Sequence, residues 1–318
     1  MGKYICRKKI AVCILAYNRL YLLRETITSV FNSSCKDYKL FILNDNSTDG
    51  TNDYLTSLKK EKEFIEIRHK KNIGIGENAN YILNNIDARY YLMLHDDDIL
   101  EVDYLNEVLN LADLDSDIAV VGTGIYTINE NGKKVEEIVY PGFKIPIIMD
   151  AKEYLKNHID GLAFPWSGSL LNSKKIGNLR FNFLEHPYCA DTVFLNTLIL
   201  GNKVGYIPKA LFNSRVHKDQ VTKKMQKTNL DLLFKEWVFD FEFYRKILKE
   251  KEFDKSYIKK HNIAINRTML HLLITSPNFK YYFKFLFSKY FKILLLSPKN
   301  ILRVFYKFFK LLNKFQNK

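Results

Sequence analysis

Cysteine is scarce in this 318-residue chain, and the four present (Cys6, Cys13, Cys35 and Cys189) form no C-x-x-C pair and no metal-ligand spacing. That excludes a disulfide-stapled scaffold and a structural zinc site, and it points to a reducing compartment, the cytoplasm. No apolar run is long enough to span a bilayer. The longest uncharged stretch of the C-terminal part covers residues 268–279, short of the roughly 18 residues a span requires. The first nine residues are polar and the first apolar run, Ile10 to Ala16, is strand-sized, so no secretory leader is expected. Acidic residues are missing altogether from Lys255 to Lys318. Of the 49 Lys and Arg, 14 lie in that stretch, and the other 35 stand against all 35 Asp and Glu in residues 1–254. The net charge of +14 therefore resides in the tail. Its partner is expected to be anionic, a membrane face or a nucleic acid, while the body is neutral. Internal repeats and low-complexity linkers are absent as well.

What is present suits a large buried core: 47% of residues are apolar, including 20 Tyr and 23 Phe. The first 120 residues alternate short β-type runs with helical stretches, the pattern of a parallel sheet with crossover helices. Strands are predicted at Ile10 to Leu15, Lys39 to Leu43, Phe64 to Ile67 and Tyr90 to Leu94. Helices are predicted over Leu22 to Phe31, Thr51 to Lys59 and Glu77 to Asn85, the last entered through a glycine loop at Asn72 to Gly76. Shorter strands follow, including Val120 to Thr127 and Gly205 to Ile207, and from Asn229 onward the pattern is helical and increasingly basic. The glycine loop does not follow the first strand and lacks the third glycine position, which argues against a dinucleotide-binding dehydrogenase or methyltransferase.

At the end of the fourth strand stands His95-Asp96-Asp97-Asp98. In open α/β sheets ligands bind beyond the carboxyl ends of the strands, where the turns after Leu15, Leu43 and Leu94 converge. Adjacent carboxylates repel one another, and a hard divalent cation such as Mg or Mn would relieve them while keeping sites open for diphosphate oxygens. The run reads equally as a solvated turn capping the next helix through Asp98 or Asp103. If strand alternation persists, Asp96 and Asp98 share one side and Asp97 takes the other.

Taken together, Ala16-Tyr17-Asn18, Asn44-Asp45-Asn46-Ser47-Thr48-Asp49-Gly50-Thr51, Asn72-Ile73-Gly74 and Leu94-His95-Asp96-Asp97-Asp98 resemble glycosyltransferase family 2. The resemblance is strong over about the first 110 residues and weaker to about residue 222. It implies a GT-A fold, a Rossmann-like, mostly parallel central sheet with flanking helices, over residues 1–225, followed by a basic, amphipathic helical region over 226–318. It also implies a metal-dependent inverting transfer of a sugar from a nucleotide diphosphate sugar, UDP-linked by family habit. Ala16, Tyr17, Asn18 and Arg19 would line the nucleotide pocket, Asp45 would contact the base, and Asn72, Gly74 and Asn78 would complete the site. Asp96 would lie near the ribose, and Asp97 and Asp98 would ligate Mn2+ or Mg2+. Many members carry an aspartate where this chain has His95, so the register of the acidic signature is open by one residue.

Transfer with inversion needs a base for the acceptor hydroxyl. Tyr188-Cys189-Ala190-Asp191-Thr192-Val193-Phe194 resembles the family's Glu-Asp segment, with Ala190 at the first acidic position, which leaves Asp191 as the candidate base. By residue type alone Asp191 is a first-turn acid of the helix that starts there. Arg215-Val216-His217-Lys218 resembles the family's Arg-x-His loop. His217 would join the metal or the diphosphate oxygens, and Arg215 or Lys218 would neutralise leaving-group charge. Trp166, in Phe164-Pro165-Trp166-Ser167-Gly168-Ser169, would stack on a sugar face or, as the plainer alternative, belong to the core. Glu185 and His186 are open as acceptor contacts. No Ser-His-Asp or Cys-His nucleophile arrangement presents itself.

In the tail, Lys280, Lys284, Ser288 and Lys292, then Lys299, Arg303, Lys307, Lys310 and Lys314, fall at helical intervals on either side of Ser297-Pro298, with aromatic and aliphatic residues between. Such faces suit an anionic membrane surface for residues 281–315, while earlier helices would pack on the body. The chain is thus expected to be a peripheral protein on the inner face of the cell membrane, acting on a glycan or lipid-linked glycan acceptor for a bacterial capsule, lipooligosaccharide or O-antigen. A basic-tailed nucleic-acid-binding protein and a non-catalytic nucleotide-sugar-binding subunit are the rival readings, and no nucleic acid is expected as partner.

Overall fold

The computed structural model describes residues 3–187 and 189–217, with Gln220, Lys246, Ile247, Phe253, Asp254 and Ser256 beyond them. The chain divides into two compact units, 1–240 and 241–318. The expected boundary at 225 and the basic amphipathic helices lie outside the described residues. In chain order the elements begin β1 Tyr4–Ile5, β2 Ile10–Ala16, α1 Leu20–Phe31, β3 Tyr38–Asn44, α2 Thr51–Leu58, β4 Ile65–Arg68 and α3 Gly74–Asn85. They continue with β5 Ile86–Asp87, β6 Tyr90–His95, β7 Ile99–Leu100, α4 Tyr104–Asp113, β8 Ile118–Ile128 and β9 Lys134–Ile138. The last are β10 Ile147–Met149, α5 Ala151–Ile159, β11 Leu170–Asn172, α6 Ser173–Ile176, α7 Ala190–Leu200 and β12 Lys203–Arg215.

A strand apolar at every position must be covered on both faces, and β2 is buried along its whole length. It lies between β3 and β6, both parallel to it, and β4 extends that parallel half. Helices α1 and α4 cover the sheet through Leu22, Leu23, Ile27 and Val30 and through Tyr104, Leu105, Val108 and Leu109, which recur after three or four residues on one face of each helix. The expected strands and helices of the first hundred residues recur within one to three residues of their predicted ends, since each is a separate run of the right period.

The sheet is mostly parallel, as expected, yet mixed: in the strand order β10-β12-β8-β11-β6-β2-β3-β4, six strands run one way and β10 and β11 run the other. The three-residue β11 enters between β6 and β8 antiparallel to both, pairing Leu170 with Leu92 and with Val121. A strand of that length shows no readable period, so this inversion of direction was hidden in sequence. β12 extends far beyond the predicted Gly205 to Ile207. Its pairing with β8 shifts register between Ile207 and Ala210, around Pro208, which has no N–H to give to a ladder. Past this irregularity β12 pairs Phe212 with Leu100 and Asn213 with Ile99, returning the chain to the residues just after the acidic run.

Gly168 shows how tightly the sheet end is assembled. It has φ +81°, its N–H donates to Met93 O at 3.0 Å, and its carbonyl accepts from the buried Tyr104 hydroxyl. A Cβ there would lie 2.4 Å from the Phe212 ring. Gly168→Ala combines a left-handed backbone with a clash and is expected to cost about 2–4 kcal/mol, read as a lowered midpoint in urea unfolding.

Candidate functional site

β6 ends at His95 and the backbone turns at once, so the strand alternation expected for the acidic run does not apply. Each carboxylate instead meets a different part of the chain. Asp96 Oδ2 accepts from Tyr17 N at 2.9 Å and its Oδ1 from Arg19 Nη1 at 2.8 Å. Asp97 Oδ2 accepts from the same Arg19 Nη1 at 3.0 Å and lies 2.8 Å from His217 Nε2. Asp98 Oδ2 accepts from Ser167 Oγ at 2.6 Å and Oδ1 from Arg215 N at 3.2 Å. All three are buried. The capping alternative falls away, because Asp98 is engaged in these bonds and Asp103, at the N-cap position of α4, makes no side-chain cap bond and accepts from Ser34 Oγ instead.

Arg215 does not have the role expected of it. Its side chain is fully buried and its guanidinium is consumed internally: Nε donates to Asp97 O at 2.8 Å, Nη1 to Glu130 O at 2.8 Å and to Asn129 O at 3.3 Å, and Nη2 to Glu25 Oε2 at 2.6 Å. A cation so enclosed ties the acidic turn to α1 and to the turn after β8; it does not face a leaving group. Lys218 lies outside the described residues. The cation beside the carboxylates is Arg19, whose side chain is about one quarter exposed at 23%.

The turns expected to hold a nucleotide do meet. Ala16, buried at the end of β2, accepts from Asp45 N at 2.9 Å, and Asn18, at φ 51°, accepts from Thr48 N at 2.7 Å through its side chain. Asp45 is buried, with Oδ1 accepting from Ile73 N at 2.8 Å and Oδ2 from Gly74 N at 2.9 Å, so it also caps α3. Asn72 Nδ2 reaches Asp45 O at 3.4 Å. Tyr17 is exposed at the rim. Asn78 is buried and spoken for, with Oδ1 3.0 Å from His69 Nε2 and Nδ2 donating to Leu43 O at 3.4 Å, so it ties α3 to the ends of β3 and β4.

The donor set fits a divalent cation. His95, Asp97 and Asp98 each offer a ligand atom, and these lie within 4.8 Å of one another. His95 Nε2 is buried with no hydrogen-bond partner, and burial lowers the imidazole pKa against the opposing pull of Asp97, which favours the neutral, metal-ligating form. Burial pushes Asp96 up to about 7 despite Arg19, and burial with the neighbouring Asp97 charge drives Asp98 well above the usual carboxylate range. Ser167, which links His95 N at 3.1 Å to Asp98, was not singled out from sequence; only its place beside Trp166 marked it.

Trp166 is buried, its ring 4.9 Å from His95 edge to face and 5.2 Å from Phe181, so it backs the acidic run as a core residue. Phe181 stacks in turn on Phe194 of α7 at 4.0 Å. Asp191 sits in the first turn of that helix, accepts from Thr192 N at 2.8 Å, and is raised from its ordinary pKa by burial. Glu185 is exposed and His186 buried on the segment before it.

The chain matches the family model for glycosyl transferase family 2 over residues 11–171, half its length. It is 26% identical over 286 residues to a Campylobacter jejuni GalNAc(5)-diNAcBac-PP-undecaprenol β-1,3-glucosyltransferase, covering 88% of this chain and 87% of that one. It is 27% identical over 234 residues to glycosyltransferase GlyA of Streptococcus pneumoniae, covering 68% of this chain and 32% of the relative. Of several curated relatives it spans only about a third of the length or less. Among solved structures it resembles S. aureus TarS bound to UDP-GlcNAc, with a TM-score of 0.57 at 13% identity, covering 85% of this chain and 83% of that one. It also resembles a Pyrobaculum calidifontis mannosyltransferase bound to GDP-Man and Mn2+, with a TM-score of 0.57 at 11% identity, covering 95% and 84%. These likenesses establish the α/β fold as GT-A, with the mixed sheet described above.

The raised carboxyls set a pH dependence. Because the folded state binds these protons more tightly than the unfolded chain, stability without a divalent cation is expected to fall as pH rises from about 4 through about 7. Thermal unfolding at pH 5.5 and pH 8 with EDTA should give the higher Tm at pH 5.5, and added Mn2+ should raise Tm more at pH 8 than at pH 5.5.

Proposed function

This chain belongs to glycosyltransferase family 2, and from that membership together with its site we propose a metal-dependent inverting enzyme that moves a sugar from a nucleotide diphosphate donor to a saccharide hydroxyl. A UDP-sugar is the favoured donor, and a glycan or lipid-linked glycan of a bacterial surface polymer is the acceptor. The observation that carries the reading is the buried turn in which His95, Asp97 and Asp98 converge beside Arg19 and His217. Such a concentration of carboxylates is costly to fold unless a cation compensates it.

In this reading His95, Asp97 and Asp98, with His217 beside Asp97, would hold Mn2+ or Mg2+, which when bound would neutralise the diphosphate as it departs. Tyr17 lies at the open rim for the base, with Ala16, Asn18 and Asp45 beneath it, while Asp96 holds the Tyr17 amide toward the ribose side. Arg19, already paired to two carboxylates, is placed to take part of the diphosphate charge. Asp191 accepts the acceptor proton as the hydroxyl attacks the anomeric carbon, and its raised pKa brings it toward neutral pH, where a base works best. The acceptor oxygen forms the new bond on the face opposite the breaking bond to phosphate, so one displacement inverts the centre without a covalent intermediate.

A panel of UDP- and GDP-sugars with Mn2+ or Mg2+ identifies the donor, and EDTA is expected to abolish turnover; turnover that persists in EDTA would overturn the metal role. Asp191→Asn should lower kcat by roughly a hundredfold to ten-thousandfold with UDP affinity unchanged. Wild-type turnover in that variant would leave a nucleotide-sugar-binding role for the residue's surroundings and remove it as base.

No helix among the described residues is long and apolar enough to cross a membrane. The basic tail, with its 14 cations and no acid, is proposed to hold the enzyme on the anionic inner face of the cell membrane. Each Lys or Arg near such a surface contributes about 1 kcal/mol. The full chain is expected to sediment with phosphatidylglycerol vesicles and to be released by 0.5 M salt on the order of the screening expected at that strength. Retention on uncharged phosphatidylcholine vesicles at equal strength would contradict the electrostatic contact.

A further inference from the structure

Helix α3 carries Gly76, Asn80 and Asn84 at four-residue spacing, hence on one face. That face grips residues 180–183, a segment about a hundred positions later with no regular structure of its own. Asn84 Oδ1 accepts from Arg180 Nε at 2.7 Å. Asn80 binds a single residue twice, Oδ1 accepting from Phe181 N at 2.9 Å and Nδ2 donating to Phe181 O at 2.8 Å. Gly76 receives the Phe183 side chain so closely that a Cβ would lie 2.3 Å from its ring.

Phe181 is held on its other side by aromatic rings. Its ring stacks on Phe194 at 4.0 Å and lies 5.2 Å from Trp166, which meets His95 at 4.9 Å. Phe194 stands three residues after Asp191 on α7, nearly one turn. The opposite end of α3 binds Asp45 through Ile73 N and Gly74 N. One helix therefore reaches from the base-binding turn to the segment that braces α7, and just past the gripped residues Leu184 is 95% exposed.

We infer that residues 180–183 form a strap by which α3 fixes α7 relative to the acidic turn. In this arrangement Asn80 is a positioning residue for the acceptor half of the site, acting through Phe181. The inference rests on the reading of Asp191 as the base. A two-bond clasp on one peptide, backed by a close-packed ring at Gly76, sets the height of Phe181 and with it the seat of Phe194. A small misplacement of a reacting group is enough to lower a rate by orders of magnitude.

The test uses the full chain with Trp237→Phe, which leaves Trp166 as the reporter tryptophan. Turnover is followed as nucleoside diphosphate release from the donor the panel identifies, and UDP binding by calorimetry with Mn2+. Asn80→Ala is expected to lower kcat by about tenfold to a hundredfold, keep the UDP Kd within about twofold, and make Trp166 more open to acrylamide quenching. Asn80→Asp, which retains only the acceptor for Phe181 N, should fall between. Gly76→Ala gains helix propensity, but its Cβ would meet the Phe183 ring at 2.3 Å, so lost kcat with a lowered Tm is the expected result. The strap is overturned if kcat and Trp166 quenching stay at wild-type values in both Asn80 variants, or if UDP affinity falls in step with kcat. Full turnover in Asp191→Asn would remove the base assignment alone, because the Asn80 responses are read without it.

Discussion

Three neighbouring carboxylates buried in one turn are the constraint to which the rest of the site answers. An unpaired buried charge is costly, and three in succession would not persist without partners. The partners come from three separate places: Tyr17 and Arg19 after β2, Ser167 before β11, and Arg215 and His217 at the end of β12. The loop after β2, the turn before β11 and the end of β12 are thereby tied to the same few atoms. Arg215 does so from inside, its guanidinium closing over Asp97 O, Glu25 and the turn at residues 129 and 130.

Arg19 remains partly exposed, whereas Arg215, the arginine that sequence set against leaving-group charge, is sealed and structural. His95 contributes an imidazole to the acidic turn. Its hydrogen-bond-free Nε2 and its contact with Trp166 join the acidic turn to the aromatic stack that continues through Phe181 to α7. The donor side and the acceptor side of a transferase must be held at a fixed separation, and packed rings with a clasped backbone provide that rigidity.

Much of the N-terminal half was legible before any coordinates, because β2, α1, β3 and α3 are long enough to display their own periods and the acidic run follows a strand of unbroken apolar residues. Ala16, Tyr17, Asn18 and Asp45 were marked through the resemblance to glycosyltransferase family 2. Less was legible about direction and reach. β11 is too short to declare its antiparallel pairing, and β12 passes through an irregularity at Pro208 before delivering Arg215 and His217.

The succession of strands and helices over the first hundred residues, the position of the acidic turn and the separation of a neutral body from a basic tail are properties of local pattern and composition, and the chain alone determined them. Which carboxylate meets which partner was decided only in three dimensions. Strand alternation assigned Asp96, Asp97 and Asp98 to faces, but the backbone turns immediately after His95, and residues up to about 120 positions away choose among the carboxylates. Hydrogen bonds of that range leave no period in a sequence. Asn80 and Gly76 were silent for the same reason: each looks ordinary in its helix, and its meaning lies in the distant segment packed against it.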